Sequence, residues 1–216
     1  MRKTLMTLVL ILASGGAQAE ADRTGFAFQA FGGTAWNAST TLKIDQAGQP
    51  PLEFDAEWDT KPFKQPLYWA LRARWRRPDD GFELQLLHHK VILANPQQGV
   101  EHFEVTHGFN TLTVHYVKTV GWLDGRVGAG AVIPHSDSTI RGLHHDPAGY
   151  TIAGPAVIAG VGTEHVFDSR ILLAAEVQFM AGWANVGVAG GTADVTSVGL
   201  HLLVGVGYVF GGGSGP

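Results

Sequence analysis

The chain contains no cysteine in its 216 residues, which excludes both a disulfide framework and a lipid-anchored cysteine. Charge is also sparse: Asp, Glu, Lys and Arg make up 16% of the chain, and 15 Lys and Arg against 19 Asp and Glu leave a net charge of -4. That balance carries no nucleic-acid footprint. After residue 19 no apolar run approaches the roughly 20 residues that a membrane-spanning helix needs. What the sequence has instead is 29 glycines and 45% hydrophobic residues, arranged in segments that alternate apolar with small or polar.

The first residues, MRKTLMTLVLILASGGAQA, place Arg2 and Lys3 before an apolar run and end in the small-residue site Ala17-Gln18-Ala19. This is the layout of a cleavable secretory signal, so residues 1–19 are expected to be removed and 20–216 to form a single domain. The far end reads SVGLHLLVGVGYVF. Val198, Leu200, Leu202, Val204, Val206, Tyr208 and Phe210 share one strand face at period two. An apolar final strand closed by aromatics resembles the C-terminal signature of bacterial outer-membrane proteins. With a secretory signal and no membrane helix, a closed barrel is the structure that can satisfy its backbone in lipid.

Turn residues divide the chain into eight segments, 24–36, 67–77, 82–93, 104–118, 126–134, 151–166, 170–183 and 196–210. They predict an all-β, eight-stranded antiparallel transmembrane barrel. The connections RPDDG, VGWLDG and FDS are tight, whereas 37–66, 94–103, 135–150 and 184–195 are long. Outer-membrane barrels have short periplasmic turns and longer extracellular loops, so both termini are expected in the periplasm. LEFDAEW (52–58) alternates by itself and predicts an extra hairpin above the membrane.

Face parity supports this arrangement. Trp69, Leu71, Ala73 and Trp75 form one stripe of the second strand, and Arg72, Arg74 and Arg76 form the other. An arginine facing lipid at the midplane costs about 2–4 kcal/mol, so the arginines are expected inside, with Glu83, Gln85, Glu176 and Gln178. Eight strands leave room only for side chains, and these groups are expected to form an ion-paired plug. The tryptophans at 36, 58, 69, 75, 122 and 183 fall mostly near strand ends, as an aromatic girdle requires.

Seven of the ten histidines then gather at the extracellular rim: His88, His89, His102, His107, His135, His144 and His145. In GFELQLLHHKVIL (81–93), His88 and Lys90 share the lipid-facing parity of Phe82, Leu84 and Leu86. His107 shares that of Phe103, Val105 and Phe109, whereas Leu112, Val114 and Tyr116 have the opposite parity, which predicts a bulge near residues 108–110. At the outer leaflet the neighbouring molecule is lipopolysaccharide, whose lipid A carries phosphates and sugars at that depth. A basic group facing outward there can bind phosphate, and imidazoles near Glu104 or Asp137 can bind a divalent metal.

The stretches WDTKPFKQPLYWALRARW (58–75), GFELQLLHHKVIL (81–93), FEVTHGFNTLTV (103–114), GAGAVIPH (128–135) and YTIAGPAV (150–157), with the last strand, resemble the lipid A oxidase family of small outer-membrane barrels. The resemblance covers most of the mature chain. It implies oxidation of the proximal glucosamine of lipid A to an aminogluconate unit, with molecular oxygen as co-substrate, a divalent metal ion and no organic cofactor. The positions it picks out include Trp58, Lys61, Phe63, Pro66, Tyr68, Trp69, His88, Lys90, Thr106, Gly108, Asn110, Pro134 and His135. A carboxylate is common in the family where this chain has His107.

The resemblance and the rim together suggest that Lys90 and Lys61 hold a lipid A phosphate beside Trp69. In the same scheme His88, His107 and His135 bind a metal, and Asn110 and Tyr68 orient the sugar; His88, His107, Asn110 and Tyr68 are the candidate catalytic residues. The expected partners are outer-membrane lipids, lipid A and the barrel-assembly machinery, for a monomer in the outer membrane of a Gram-negative bacterium. A non-catalytic barrel that binds lipopolysaccharide or supports the membrane is the main rival. A deacylase would need a serine beside a rim histidine, and Ser136 next to His135 is the one tempting position. A diffusion pore ranks last among the alternatives, because eight strands with arginines inside leave no channel.

Overall fold

The computed structural model describes residues 23–105 and 108–210, so the expected signal segment, together with Thr106 and His107, lies outside the described residues. Fifteen strands follow one another, beginning with β1 (Gly25–Asn37), β2 (Thr40–Gln46), β3 (Leu52–Ala56), β4 (Trp58–Asp59), β5 (Trp69–Arg76), β6 (Asp80–His88), β7 (Val91–Leu93) and β8 (Val100–Val105). The second half adds β9 (Phe109–Val120), β10 (Leu123–Pro134), β11 (Asp137–Ile140), β12 (Leu143–His145), β13 (Gly154–Val166), β14 (Ile171–Val188) and β15 (Gly191–Phe210). No helix occurs among the described residues.

Eight of these strands close a barrel in the order β1-β5-β6-β9-β10-β13-β14-β15, with β15 returning to β1. Every pairing around the ring is antiparallel. Closure leaves the ring no free edge, which is how a strand protein can satisfy its backbone in lipid. The tight turns lie at one end, the end at which Phe26 pairs with Phe210 and Gly25 with Arg76. Every long connection lies at the other.

The outside of the barrel is apolar. Leu84, Val114, Val127, Val177, Leu200 and Val206 all stand exposed on it, while the alternate residues of the same strands point inward. Inside, four guanidinium groups (Arg72, Arg74, Arg76, Arg126) meet four carboxylates (Glu83, Glu164, Glu176, Asp124), all buried. Arg72 reaches Glu176 at 3.0 Å and Glu83 at 3.4 Å. Arg76 lies 3.2 Å from Glu164, which also pairs with Arg74, and Arg126 joins Glu83 at 3.6 Å and contacts Glu176. The charges balance, so each buried ion has a counter-ion and no channel of either sign runs through the barrel. The inward positions of β15 stay small where neighbours need room: Gly205 faces Phe31 and Gly207 faces Gln29.

Beyond the barrel a second structure caps the long-loop end. β14 and β15 run past their barrel neighbours as a hairpin turning at Ala189 and Gly190, where Gly190 takes φ +71°. The 184–195 segment is therefore a strand extension and not the long loop its composition suggests. β2 pairs with the extended β15 and β3 pairs with β2, which is the extra hairpin expected over 52–58. A separate sheet, β12-β11-β8-β7-β4, faces it, and the two share one apolar core with Leu42, Ile44, Phe103, Ile140, Val186 and Val195 among its members. Trp58 sits in this core, its ring 6.2 Å from that of Phe103, and not in the aromatic girdle.

The cap explains two further departures. The segment 82–93 is not one strand: β6 ends at His88, the His89 carbonyl accepts Phe109 N at 2.7 Å, and β7 resumes in the cap sheet. The segment 104–118 likewise divides between β8 in the cap and β9 in the barrel. The parity change expected as a bulge is thus a break at Gly108, whose φ of +113° favours glycine. Phe109, expected on the lipid face, is fully buried because the new strand begins after that break with its first residue turned inward.

Candidate functional site

His88 ends β6 on the outward face, opposite Trp69 of β5 in the register. Their rings stack, with centroids 5.2 Å apart and planes 9° from parallel. Asn110, the second residue of β9, pairs with Ile133 of β10 and donates its Nδ2 hydrogen to the Ile133 carbonyl at 3.1 Å. That bond orients the amide, so Oδ1 is the atom facing His88 Nδ1 at 2.7 Å. Oδ1 can only accept, so Nδ1 is the donor of this bond. Gly108 closes the back of the pair: a Cβ there would collide with Asn110 Oδ1 and His88 Nδ1.

Around this pair lies an open hollow of about 320 Å³, walled by Pro66, Trp69, Leu86, Ile133 and Tyr150. Its position is unusual for a ligand site. It opens on the outside of the barrel, at the capped end. Two polar side chains in an apolar, lipid-facing pocket suit a ligand that is itself part lipid and part sugar or phosphate.

Lys90 does not line the hollow; it is buried and donates from Nζ to the Lys64 carbonyl at 2.6 Å. It does not face lipid as its parity suggested, because the chain has already left β6. Burial, and then the neighbouring charge of Lys64 and Lys61, push the Lys90 ammonium below its usual pKa. Lys61 Nζ lies 3.8 Å from Asp59 and is half exposed. The segment bearing Lys61 and Lys64 also supplies Pro66 to the pocket wall.

The other candidates go elsewhere. Tyr68 points into the barrel, where its hydroxyl meets His201 Nδ1 at 2.8 Å. His89 is inside too, its ring 4.9 Å from that of His201. His135 lines a second hollow of about 290 Å³ with His145, Pro147, Thr151 and Asn185, and its Nε2 lies 2.9 Å from Asp146 Oδ1. Tyr150 contributes to both hollows and separates His88 from His135. Ser136 donates to the Gly187 carbonyl at 2.9 Å, a backbone partner rather than an imidazole. His102 and His144 lie on the cap sheet. The six described rim histidines thus occupy four different surroundings.

A closed eight-stranded barrel, apolar outside and ion-paired inside, defines this protein as a small outer-membrane-type β-barrel. No protein-family model matches the chain, and no curated protein matches it in sequence. Among solved structures it is similar to Neisserial surface protein A, at 12% identity over 87% of this chain and 98% of that one, with a TM-score of 0.44. It is also similar to the outer-membrane protein AlkL in lipid bilayers, at 12% identity over 93% and 97% with a TM-score of 0.45. OprG from Pseudomonas aeruginosa gives 13% identity over 87% and 96% with a TM-score of 0.43. Such distant likenesses say nothing about chemistry.

Proposed function

We propose that the protein is an outer-membrane barrel, with both termini periplasmic, that takes lipid A into the outward pocket between Trp69, His88 and Asn110 and oxidises its proximal sugar. The observation that carries this reading is the location of a hydrogen-bonded His–Asn pair inside an apolar hollow open to lipid. Leu86, Ile133 and Trp69 suit acyl chains and the apolar face of a sugar ring. Lys61, half exposed on the segment that supplies Pro66 to the pocket wall, is the cation an acidic headgroup would meet, whereas Lys90 is buried on the Lys64 carbonyl.

In the reaction that the family resemblance suggests, the anomeric carbon of a hemiacetal glucosamine gives two electrons and two protons to molecular oxygen. The products are a lactone and hydrogen peroxide, and water then opens the lactone to the aminogluconate, a net gain of one oxygen atom. The His88–Asn110 pair at the pocket wall would orient the sugar. The resemblance also implies a divalent metal, but His88 and His135 stand in separate hollows and do not form one centre among the described residues.

Lipid A from cells making the protein, set against an empty vector with and without air, tests the activity by mass spectrometry. An oxygen-dependent gain of one oxygen atom supports oxidation. Unmodified lipid A whose anomeric hydroxyl is free, in the presence of inserted barrel, would leave a lipopolysaccharide-binding wall protein in its place.

A further inference from the structure

The outer face of the cap sheet gathers groups that the barrel and the lipid-facing pocket do not use. Strand alternation turns Phe103 and Val105 of β8, and Ser138 and Ile140 of β11, into the cap core. His102 and Glu104 of β8 and Asp137 of β11 are left on the opposite face. The register places Asp137 directly across from Glu104, and the His102–Thr139–His144 row runs beside them over three strands. His102 Nε2 lies 3.6 Å from Glu104 Oε1 and 3.9 Å from Asp137 Oδ2, while His144 Nδ1 lies 3.7 Å from Asp137 Oδ1.

Two carboxylates facing each other across a strand pair repel unless a cation lies between them. The groups beside them are imidazoles, and no lysine or arginine forms an ion pair with either carboxylate among the described residues. Lys90 feels the charge of Glu104 but sends its Nζ to the Lys64 carbonyl. Asp137 Oδ1 is shielded from solvent and has no hydrogen-bond partner.

One donor atom from each of His102, Glu104 and Asp137 lies within 4.8 Å of the others. Donors bound about 2.1 Å from a tetrahedral ion stand about 3.4 Å apart, so the two His102 contacts need to close by a few tenths of an ångström and the Glu104–Asp137 pair by up to about 1.4 Å. The geometry points to a binding site for a first-row divalent metal ion, with Zn²⁺ as the type case, formed by His102, Glu104 and Asp137, with His144 standing beside Asp137. An imidazole with two carboxylates suits such an ion better than the all-oxygen preference of Ca²⁺ or Mg²⁺. The ion would tie β8 to β11, and it stands independently of the lipid A reading.

The test is titration of the full barrel with Zn²⁺, folded in detergent and stripped with chelator, followed by calorimetry and by metal analysis after gel filtration. One equivalent is expected for the unaltered protein. His102→Ala and Asp137→Asn should each weaken binding at least tenfold, with heat-modifiability on gels showing that the barrel is intact. The assignment is overturned if the unaltered protein binds no Zn²⁺, or if a His102→Ala/Asp137→Asn variant keeps the same stoichiometry and affinity. Loss of the equivalent in His88→Ala with retention in His102→Ala would also overturn it, by moving the metal to the lipid-facing pocket.

Discussion

At the scale of single residues, Gly108 shapes the pocket more than any group that would touch a substrate. Its φ of +113° lets the chain leave the cap and enter β9, and its missing side chain leaves room for the His88–Asn110 bond. Gly108→Ala should therefore cost about 1–3 kcal/mol of local strain and abolish lipid A oxidation while the barrel still inserts. Lipid A mass spectra with a heat-modifiability gel separate the two effects. Inside the barrel, Arg72 serves Glu83, Glu176 and Gln85 at once. Removing it leaves buried carboxylates short of a counter-ion, and Arg72→Met should lower the unfolding free energy by about 3–5 kcal/mol, read as a lower urea midpoint in lipid vesicles. Alternation made much of this legible. The parity that puts Arg72, Arg74 and Arg76 inside also puts Tyr68 there, away from the sugar-orienting role the motif suggested. Arg126, Glu164 and Asp124 complete the plug from strands whose polar residues are too scattered to form an obvious stripe.

At the scale of elements, the eight barrel strands show in the sequence because each alternates over ten or so residues against a uniform lipid outside. The cap does not. β4, β7, β11 and β12 are two to four residues long, too short for periodicity to mark them. Their pairings come from contacts distant in sequence, such as Trp58 with Leu93 and Asp137 with Glu104. That is why the rim histidines looked like one constellation: parity separates His88 outside from His89 inside, but without the cap nothing in the sequence sets His102 and His144 apart on the second sheet. The cap's integrity rests on rings such as Phe103, which is buried against Trp58. Phe103→Ala should cost about 3–5 kcal/mol, and the loss should be confined to the cap. Limited proteolysis of outer-membrane vesicles would then cut within 90–105 and 135–150 while the spanning hairpins remain protected.

At the scale of the whole molecule, barrel and cap divide the work. The ring supplies a lipid-facing wall with a closed, charge-balanced interior. The β6–β9 register runs on past Leu87 and Thr111 to the Phe109 N–His89 O bond, which sets His88 and Asn110 facing each other on the outside just before the chain turns into the cap. A ligand reaching that pair comes sideways from the membrane and not through the barrel. The most direct measurement of this is native mass spectrometry of the barrel released from its own membrane into nanodiscs, for the unaltered protein and for Trp69→Ala and His88→Ala. A pocket that receives lipid A should hold one lipid A molecule on the unaltered protein, with at least a tenfold lower bound fraction in both variants. Equal lipid A occupancy in all three, or none in any, would contradict an outward pocket built for that lipid.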